Sequence, residues 1–378
     1  MKRFLFIGHD ATRTGAPFVL LHLLRWIREN HPECEVDLLL LSGGELEQEY
    51  RKVADVYVLP KIANIGFLKT NIRRIRNKLG IASASYLPHF RVDYDVVVGN
   101  TVVTLRYLKL FKQKAFWTIN WVHELDNTVN IYYTQAEFKA LSRYVDDYIV
   151  GSQAVKEMLN RYSIDKPIHL IYEFSPKRPN INIDAADVRK NLGISARAFL
   201  VGGCGTIEAR KGVDLFLNVA ELLLAKHNDF CFLWIGRKNV ASTPYYLQII
   251  GEIERLGLRD KILIVESDES PEQFLAALDV FVLPSREDPF PLVCLEAANL
   301  GKPIICFADA GGMPEFVGSD AGEVVPFGDV KALCNRLEYF YSDLAARKRA
   351  GEIARIKSDG DFSLERSCRQ LFTILSEN

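Results

Sequence analysis

At 378 residues, with 48% hydrophobic and 25% charged residues, the chain has the make-up of an ordinary globular protein and too much length for a single core. Its 47 Lys and Arg nearly balance 48 Asp and Glu, which argues against wholesale nucleic-acid binding. Seven cysteines, an odd number with no C-x-x-C pair, argue against a disulfide framework and read as reduced, buried thiols of a cytosolic protein.

In chain order, the first apolar run, "RFLFIG", stops too soon for a signal peptide or a membrane span. It is followed by "VDLLLLSGG", "YDVVVGN", "FWTINWVHE" and "DDYIVGS", each apolar enough for a strand buried on both faces. The second half repeats the pattern with "AFLVGGCGT", "FCFLWIG", "KILIVES", "DVFVLPS", "PIICFA" and "GEVVP". Alternation of such strands with amphipathic stretches predicts α/β architecture: two Rossmann-like, doubly wound domains, with their polar rims facing across a cleft. The proline-marked segment from Tyr172 to Ile194 separates the two series. The expected division is an N-terminal domain over 1–175, a C-terminal domain over 176–360 and a closing helix over 361–378. That helix has Ser363 as expected N-cap and an apolar stripe at Leu364, Cys368, Leu371, Phe372 and Leu375.

Ligands of doubly wound domains bind beyond the carboxyl ends of the strands. In the first half those ends carry Gly8, His9, Asn100, His123, Glu124 and Ser152, and in the second Gly203, Gly205, Gly236, Glu266 and Ser285. Three superficially suggestive motifs fail on context. "DYD" at Asp93 to Asp95 precedes its strand, "LGKP" lacks the upstream glycine of a phosphate loop, and "GGCGTIE" lacks the third glycine of a dinucleotide fingerprint.

Two segments carry chemistry. In "GTIEARKGVDLFLNVAELL", Arg210 and Lys211 stand between a glycine turn and a helix beginning near Val213, a place where fixed cations can neutralise a diphosphate. In "REDPFPLVCLEAANLGKP", Pro289 and Pro291 rule out the middle of a helix or a central strand, so the stretch reads as a loop that becomes a helix. The backbone amides of Phe290, Leu292 and Val293 can then meet an anion at a helix N-terminus. Glu296, further along that helix, is placed to hold a ribose, and Asp288 to bind sugar hydroxyls.

These segments resemble those of the retaining GT-B glycosyltransferases of glycosyltransferase family 4. The likeness extends in order over nearly the whole chain, through "GHDATRTGAP", "VHEL", "VGSQAVKEML", the Arg-Lys-Gly turn, the acidic pair eight positions apart, and "GGMPE". The resemblance implies a GT-B fold. It implies that Arg210 and Lys211 bind the donor diphosphate and stabilise it as leaving group, that Glu296 holds the ribose, and that Gly15 approaches the diphosphate from the N-terminal domain. His123 would lie against the transferred sugar. It also implies front-face transfer with retention, in which the departing diphosphate helps deprotonate the acceptor, with no cofactor and no metal required. Two positions depart from the family pattern: Asp288 where glutamate is usual, and Pro291 where a glycine offers its amide.

The implied activity is transfer of a hexose or related sugar from a nucleotide diphosphate sugar, UDP- or GDP-linked, to a glycan or lipid-linked glycan. The setting would be bacterial surface polysaccharide assembly (O-antigen, capsule or exopolysaccharide), in the cytoplasm or at the inner face of its membrane. An acid-free window between Asp55 and Asp93 holds seven Lys and Arg. Within it, residues 68–79 alternate an apolar stripe (Leu68, Ile72, Ile75, Leu79) with cations, which suits either peripheral contact with anionic lipid or a docked surface helix. The competing readings are a sugar-nucleotide epimerase of similar fold, a noncatalytic nucleotide-sugar-binding relative, and a two-domain periplasmic-type binding module. The Arg-Lys and Asp-Glu pairing opposes the first; the short apolar N-terminus and the odd cysteine count oppose the last.

Overall fold

The computed structural model describes residues 2–59, 90, 93–176, 183–236, 244–266 and 271–377. Each apolar run quoted above forms a strand, and all strands in both sheets are parallel. The first sheet contains β1 (Arg3–Gly8), β2 (Glu35–Leu40), β3 (Asp55–Val58), β4 (Tyr94–Asn100), β5 (Ala115–Val122), β6 (Asp147–Val150) and β7 (Ile168–Leu170), in the order β3-β2-β1-β4-β5-β6-β7. The second contains β8 (Phe199–Cys204), β9 (Phe230–Gly236), β10 (Ile262–Glu266), β11 (Val280–Leu283), β12 (Ile304–Phe307) and β13 (Gly322–Val325), in the order β10-β9-β8-β11-β12-β13.

Two strands escaped the sequence reading, and both are edges. β3 and β7 are four and three residues long and only partly buried, so they lack the continuous apolar run that marks a strand covered on both faces. In the second sheet that covering is explicit. Phe199 and Val201 join one buried cluster with Val280, Val282, Ile305 and Phe307, while Leu200 joins another with Phe281, Ile304 and Cys306. Successive side chains on a strand point to opposite faces, so a strand buried on both must be apolar throughout.

Both sheets reverse their winding between the first strand of the series and the fourth: β1 lies beside β4, and β8 beside β11. Such a switch point leaves a crevice at the strands' carboxyl ends because the two flanking helices run to opposite faces. The chain divides into two compact units. The first takes in Met1–Val150, Lys156–Ile171 and Cys368–Asn378; the second takes in Gly151–Val155 and Tyr172–Ser367.

The closing helix spans Leu364–Glu377, and it buries Cys368, Leu371 and Leu375. Phe372 stacks on His31 with ring centroids 3.6 Å apart and meets Phe4 of β1 edge-on at 6.2 Å. The Ser363 hydroxyl donates to the Gly360 carbonyl at 2.8 Å, a use its expected capping role did not anticipate. The segment between the two strand series is partly helical: Ala185–Asn191 is a helix whose N-cap, Asp184, accepts from the amides of Ala186 and Asp187. The basic stretch 68–79 lies outside the described residues. Among those described, no helix is long and apolar enough to cross a membrane.

Candidate functional site

The second unit gathers its predicted site residues around the switch point between β8 and β11. After β8 the chain makes a short turn of 3-10 helix, Ala209–Lys211, and then Gly212 at φ 71° opens the helix Val213–Leu224. Glycine is required at 212 for two reasons: the left-handed conformation, and a backbone approach so close that a Cβ would stand 1.9 Å from the Pro284 carbonyl oxygen. After β11 the loop from Ser285 to Pro291 runs alongside this turn and is laced to it. The Arg286 amide donates to the Arg210 carbonyl at 2.8 Å, and its guanidinium forks onto Asp214 at 2.8 and 2.6 Å. Arg210 returns a bond of 2.9 Å to the Glu287 carbonyl.

The lacing brings Arg210, Lys211 and Asp288 together. Lys211 Nζ donates to Asp288 Oδ2 at 2.6 Å, the Ser285 hydroxyl donates to the same oxygen at 3.1 Å, and Arg210 stands 3.8 Å from Oδ1. Asp288 is 6% exposed. Its main chain is pinned as well: its amide donates to the Ala310 carbonyl at 2.7 Å, and Gly311, at φ 141°, passes so near that a Cβ would lie 1.7 Å from the Asp288 carbonyl oxygen. A carboxylate held this way orients two cations. It has little freedom to turn toward a sugar.

The helix Leu292–Asn299 begins where Pro291, at φ −72° and ψ 119°, ends the loop. Leu292 and Val293 supply first-turn amides, which have no acceptor within their own helix. Phe290 is 6% exposed and packs its ring near Tyr172 and Phe362, with centroids 5.9 and 5.7 Å away, so its side chain anchors the loop. Glu296 is half-buried one turn into the helix. Its charge, like that of Lys211, reaches Cys204 at the end of β8. Burial pushes that thiol up to about 12; the Glu296 charge adds to the rise and the Lys211 charge opposes it. Burial likewise drives the Cys294 thiol well up, with Asp288 reinforcing it, so these cysteines are inert packing beneath the site.

The first unit brings Gly15 and His123 into one polar rim. Gly15 opens the helix Gly15–Asn30, with space around it where a side chain would project. His123 directly follows β5. Between them stands Asn100, fully buried at the end of β4, whose amide donates to the Ala16 carbonyl at 3.2 Å and whose Oδ1 lies 2.7 Å from His123 Nε2. That contact makes Nε2 the protonated nitrogen of His123, since a carboxamide oxygen can only accept. Glu124 accepts from the amides of His123 and Val102 at 3.0 and 3.1 Å. Thr101 holds φ 87°, a strained value for a threonine, at the same rim. Position at the end of a strand was the only sequence signal for Asn100, which turns out to orient the histidine.

"GGMPE" and "VGSQAVKEML" prove to be one arrangement. Glu315 accepts from the amides of Gln153 and Ala154 at 2.9 and 3.2 Å, capping the helix Gln153–Arg161, and a Cβ on Gly312 would stand 2.4 Å from that of Ser152. Asp95, of the discounted "DYD", accepts from the Arg3 amide at 2.7 Å. Gly236 and Glu266 pair in register at the ends of β9 and β10, and the segments that follow them, 237–243 and 267–270, lie outside the described residues.

With this geometry in place, residues 184–357, which include the whole Arg210, Lys211, Asp288 and Glu296 group, match the family described as "Glycosyl transferases group 1". The lipopolysaccharide core biosynthesis mannosyltransferase LpsB of Rhizobium meliloti is 26% identical over 54% of this chain and 59% of its own length. An alpha-galactosylglucosyldiacylglycerol synthase of Streptococcus pneumoniae is 34% identical over 57% of this chain and 60% of its own. The chain thus spans less than two thirds of these relatives. Among solved structures, Anabaena HepE in complex with UDP and glucose covers 100% of both chains at a TM-score of 0.78 and 19% identity. The fold is therefore that of the GT-B structures, with two Rossmann-like domains.

Proposed function

We propose that the protein is a retaining glycosyltransferase of family 4 that moves a sugar from a nucleotide diphosphate sugar to a glycan or lipid-linked glycan during assembly of a bacterial surface polysaccharide. The observation that carries this reading is the cation pair Arg210 and Lys211, fixed by Asp288 next to the helix Leu292–Asn299, inside the segment that matches group 1 glycosyl transferases. A diphosphate leaving group develops one negative charge as the glycosidic C–O bond breaks, on top of the two its phosphates already carry, and preoriented cations with first-turn amides stabilise that charge without reorganising. Glu296 would hold the ribose. The relative named for lipopolysaccharide core biosynthesis supports the pathway, and the UDP and glucose bound in the HepE structure support a UDP-sugar ahead of a GDP-sugar. Transfer would occur in the cytoplasm or at the membrane's inner face.

In this mechanism no side chain serves as covalent nucleophile. The departing diphosphate takes the acceptor's proton, and His123, with its Nε2 hydrogen committed to Asn100, lies against the transferred sugar. No metal is needed, since Arg210 and Lys211 supply the positive charge. A noncatalytic relative is the second reading, favoured by one observation: the carboxylate expected to read the sugar already has Lys211 and Ser285 on one oxygen.

The test is a panel of UDP-, GDP-, dTDP- and ADP-sugars, scored by thermal shift and by nucleotide release, on the wild type and Glu296→Ala. One donor should stabilise the wild type and be slowly hydrolysed, with both effects lost in the variant. Stabilisation without turnover in the presence of any acceptor would favour the noncatalytic reading, and no stabilisation by any of the four would remove the donor site altogether.

A further inference from the structure

At the opposite edge of the second sheet, where β8, β11 and β12 begin, an open pocket of about 890 Å³ lies between the helix Ala185–Asn191, the turn after it, the end of the helix Glu272–Ala277, and Lys302. A six-residue strand separates this edge from the Lys211 end by roughly 17 Å. The pocket's chemistry is cationic. Lys302 Nζ donates to the carbonyls of Ala276 and Leu278, both at 2.7 Å. Arg189 donates to the carbonyls of Ala277 and Ala198 and reaches Asp279 Oδ2 at 2.8 Å, while Arg347 approaches the other oxygen of Asp279 at 3.3 Å. Lys190 is exposed on the same lining.

Arg189, Arg347 and Lys302 therefore gather at one carboxylate, Asp279, and at the C-termini of two short helices, whose dipoles are each worth at most about half a negative charge, and Lys190 adds a fourth cation on the lining. Positive charge is left over. Arg189 has spent four of its five hydrogens, three on main-chain carbonyls and one on Asp279, but Lys302 has three and, among the described residues, uses two. The strain shows in its acidity: burial first, and then the charges of Arg189 and Arg347 against the opposing pull of Asp279, lower the Lys302 ammonium to about 8. A group that holds its proton with difficulty next to open space would hold it more easily with an anion beside it.

We propose that this pocket is a second anion site, binding a small soluble phosphate-bearing molecule through the remaining hydrogen of Lys302 and the ammonium of Lys190. Its volume is within the range of small-ligand pockets, large enough for a sugar phosphate or a mononucleotide. The site is independent of the nucleotide-sugar reading above, because it shares no residue with it. Binding would be linked to proton uptake. Below pH 8 Lys302 is already charged, and above it the anion must bring a proton back, so affinity falls as pH rises through that value.

The experiment measures binding of inorganic phosphate, glucose 1-phosphate and UMP by calorimetry, with sulfate as an anion whose own charge is constant between pH 7 and 9. The proteins are the wild type, Lys190→Glu, Lys302→Gln and Lys211→Ala. Saturable binding at pH 7 is expected in the wild type and in Lys211→Ala, weakened at least about tenfold in Lys190→Glu and Lys302→Gln. For sulfate, affinity at pH 9 should be roughly tenfold below that at pH 7, the cost of restoring one proton a unit above the amine's midpoint. Because exposed Lys190 makes no side-chain bond among the described residues, its variant keeps the test decisive should Lys302→Gln fold poorly. Binding abolished by Lys211→Ala alone, binding untouched by both pocket variants, or no saturable binding of any probe would each overturn the proposal.

Discussion

Asp288 is the residue at which sequence and structure say different things about the same side chain. Its place in the acidic pair suggests a hydroxyl-binding carboxylate, yet in the fold it is buried, with Lys211 and Ser285 on one oxygen and Arg210 near the other. If it acts through Lys211, Asp288→Asn should lower kcat by roughly 10²-fold, the scale of a misplaced catalytic group. The ratio of kcat/KM for two epimeric donors should stay unchanged. A changed ratio would mean that Asp288 reads the sugar directly. His9, three-quarters buried beside Asp10, allows a pH prediction. Burial lowers its pKa below 6.5, aided by His123 and opposed by Asp10. The unfolded chain therefore binds the proton more readily, and stability present above pH 6.5 is lost as pH falls through the lowered folded value. Melting temperatures measured from pH 8 to 5 should fall more steeply for the wild type than for His9→Gln.

The Arg-Lys-Gly turn shows how an element can depend on one backbone position. Gly212 takes φ 71° against Pro284, so that the turn carrying Arg210 and Lys211 can abut the loop carrying Asp288. Gly212→Ala meets the left-handed conformation, worth about 1–2 kcal/mol, and a clash with main chain in addition. It should lower the melting temperature by several degrees and weaken binding of the donor's diphosphate even when the protein is assayed well below its melting point. Retained donor affinity would separate the turn's shape from its function. The strands were legible wherever both faces are covered, and β3 and β7 were not, because an edge strand need not be apolar. The loop that becomes a helix at Leu292 was legible from its two prolines, since each removes a donor that a regular element would need.

Across the whole molecule, the final helix belongs to two compact units: Leu364 to Ser367 cluster with the second, and Cys368–Asn378 with the first. Leu371 is 1% exposed, so Leu371→Ala should cost about 2–5 kcal/mol in the first unit. In calorimetry this would appear as a lowered transition for that unit while the transition of the second stays in place; a uniform shift of all unfolding would show that the two melt as one.

The sequence alone determined the class of fold, the two strand series and the position of the cation turn and the acidic loop, because these depend on local patterns: runs of apolar residues, prolines, glycines and charges a few positions apart. Tertiary structure decided which side chains became partners. Lys211 and Asp288 are 77 positions apart and Glu315 and Gln153 162, and they meet because β8 lies beside β11 and because residues 151–155 cluster with the second unit. Strand order is set by how helices cover both faces of a sheet, a property of the assembled layers that no short window of sequence contains.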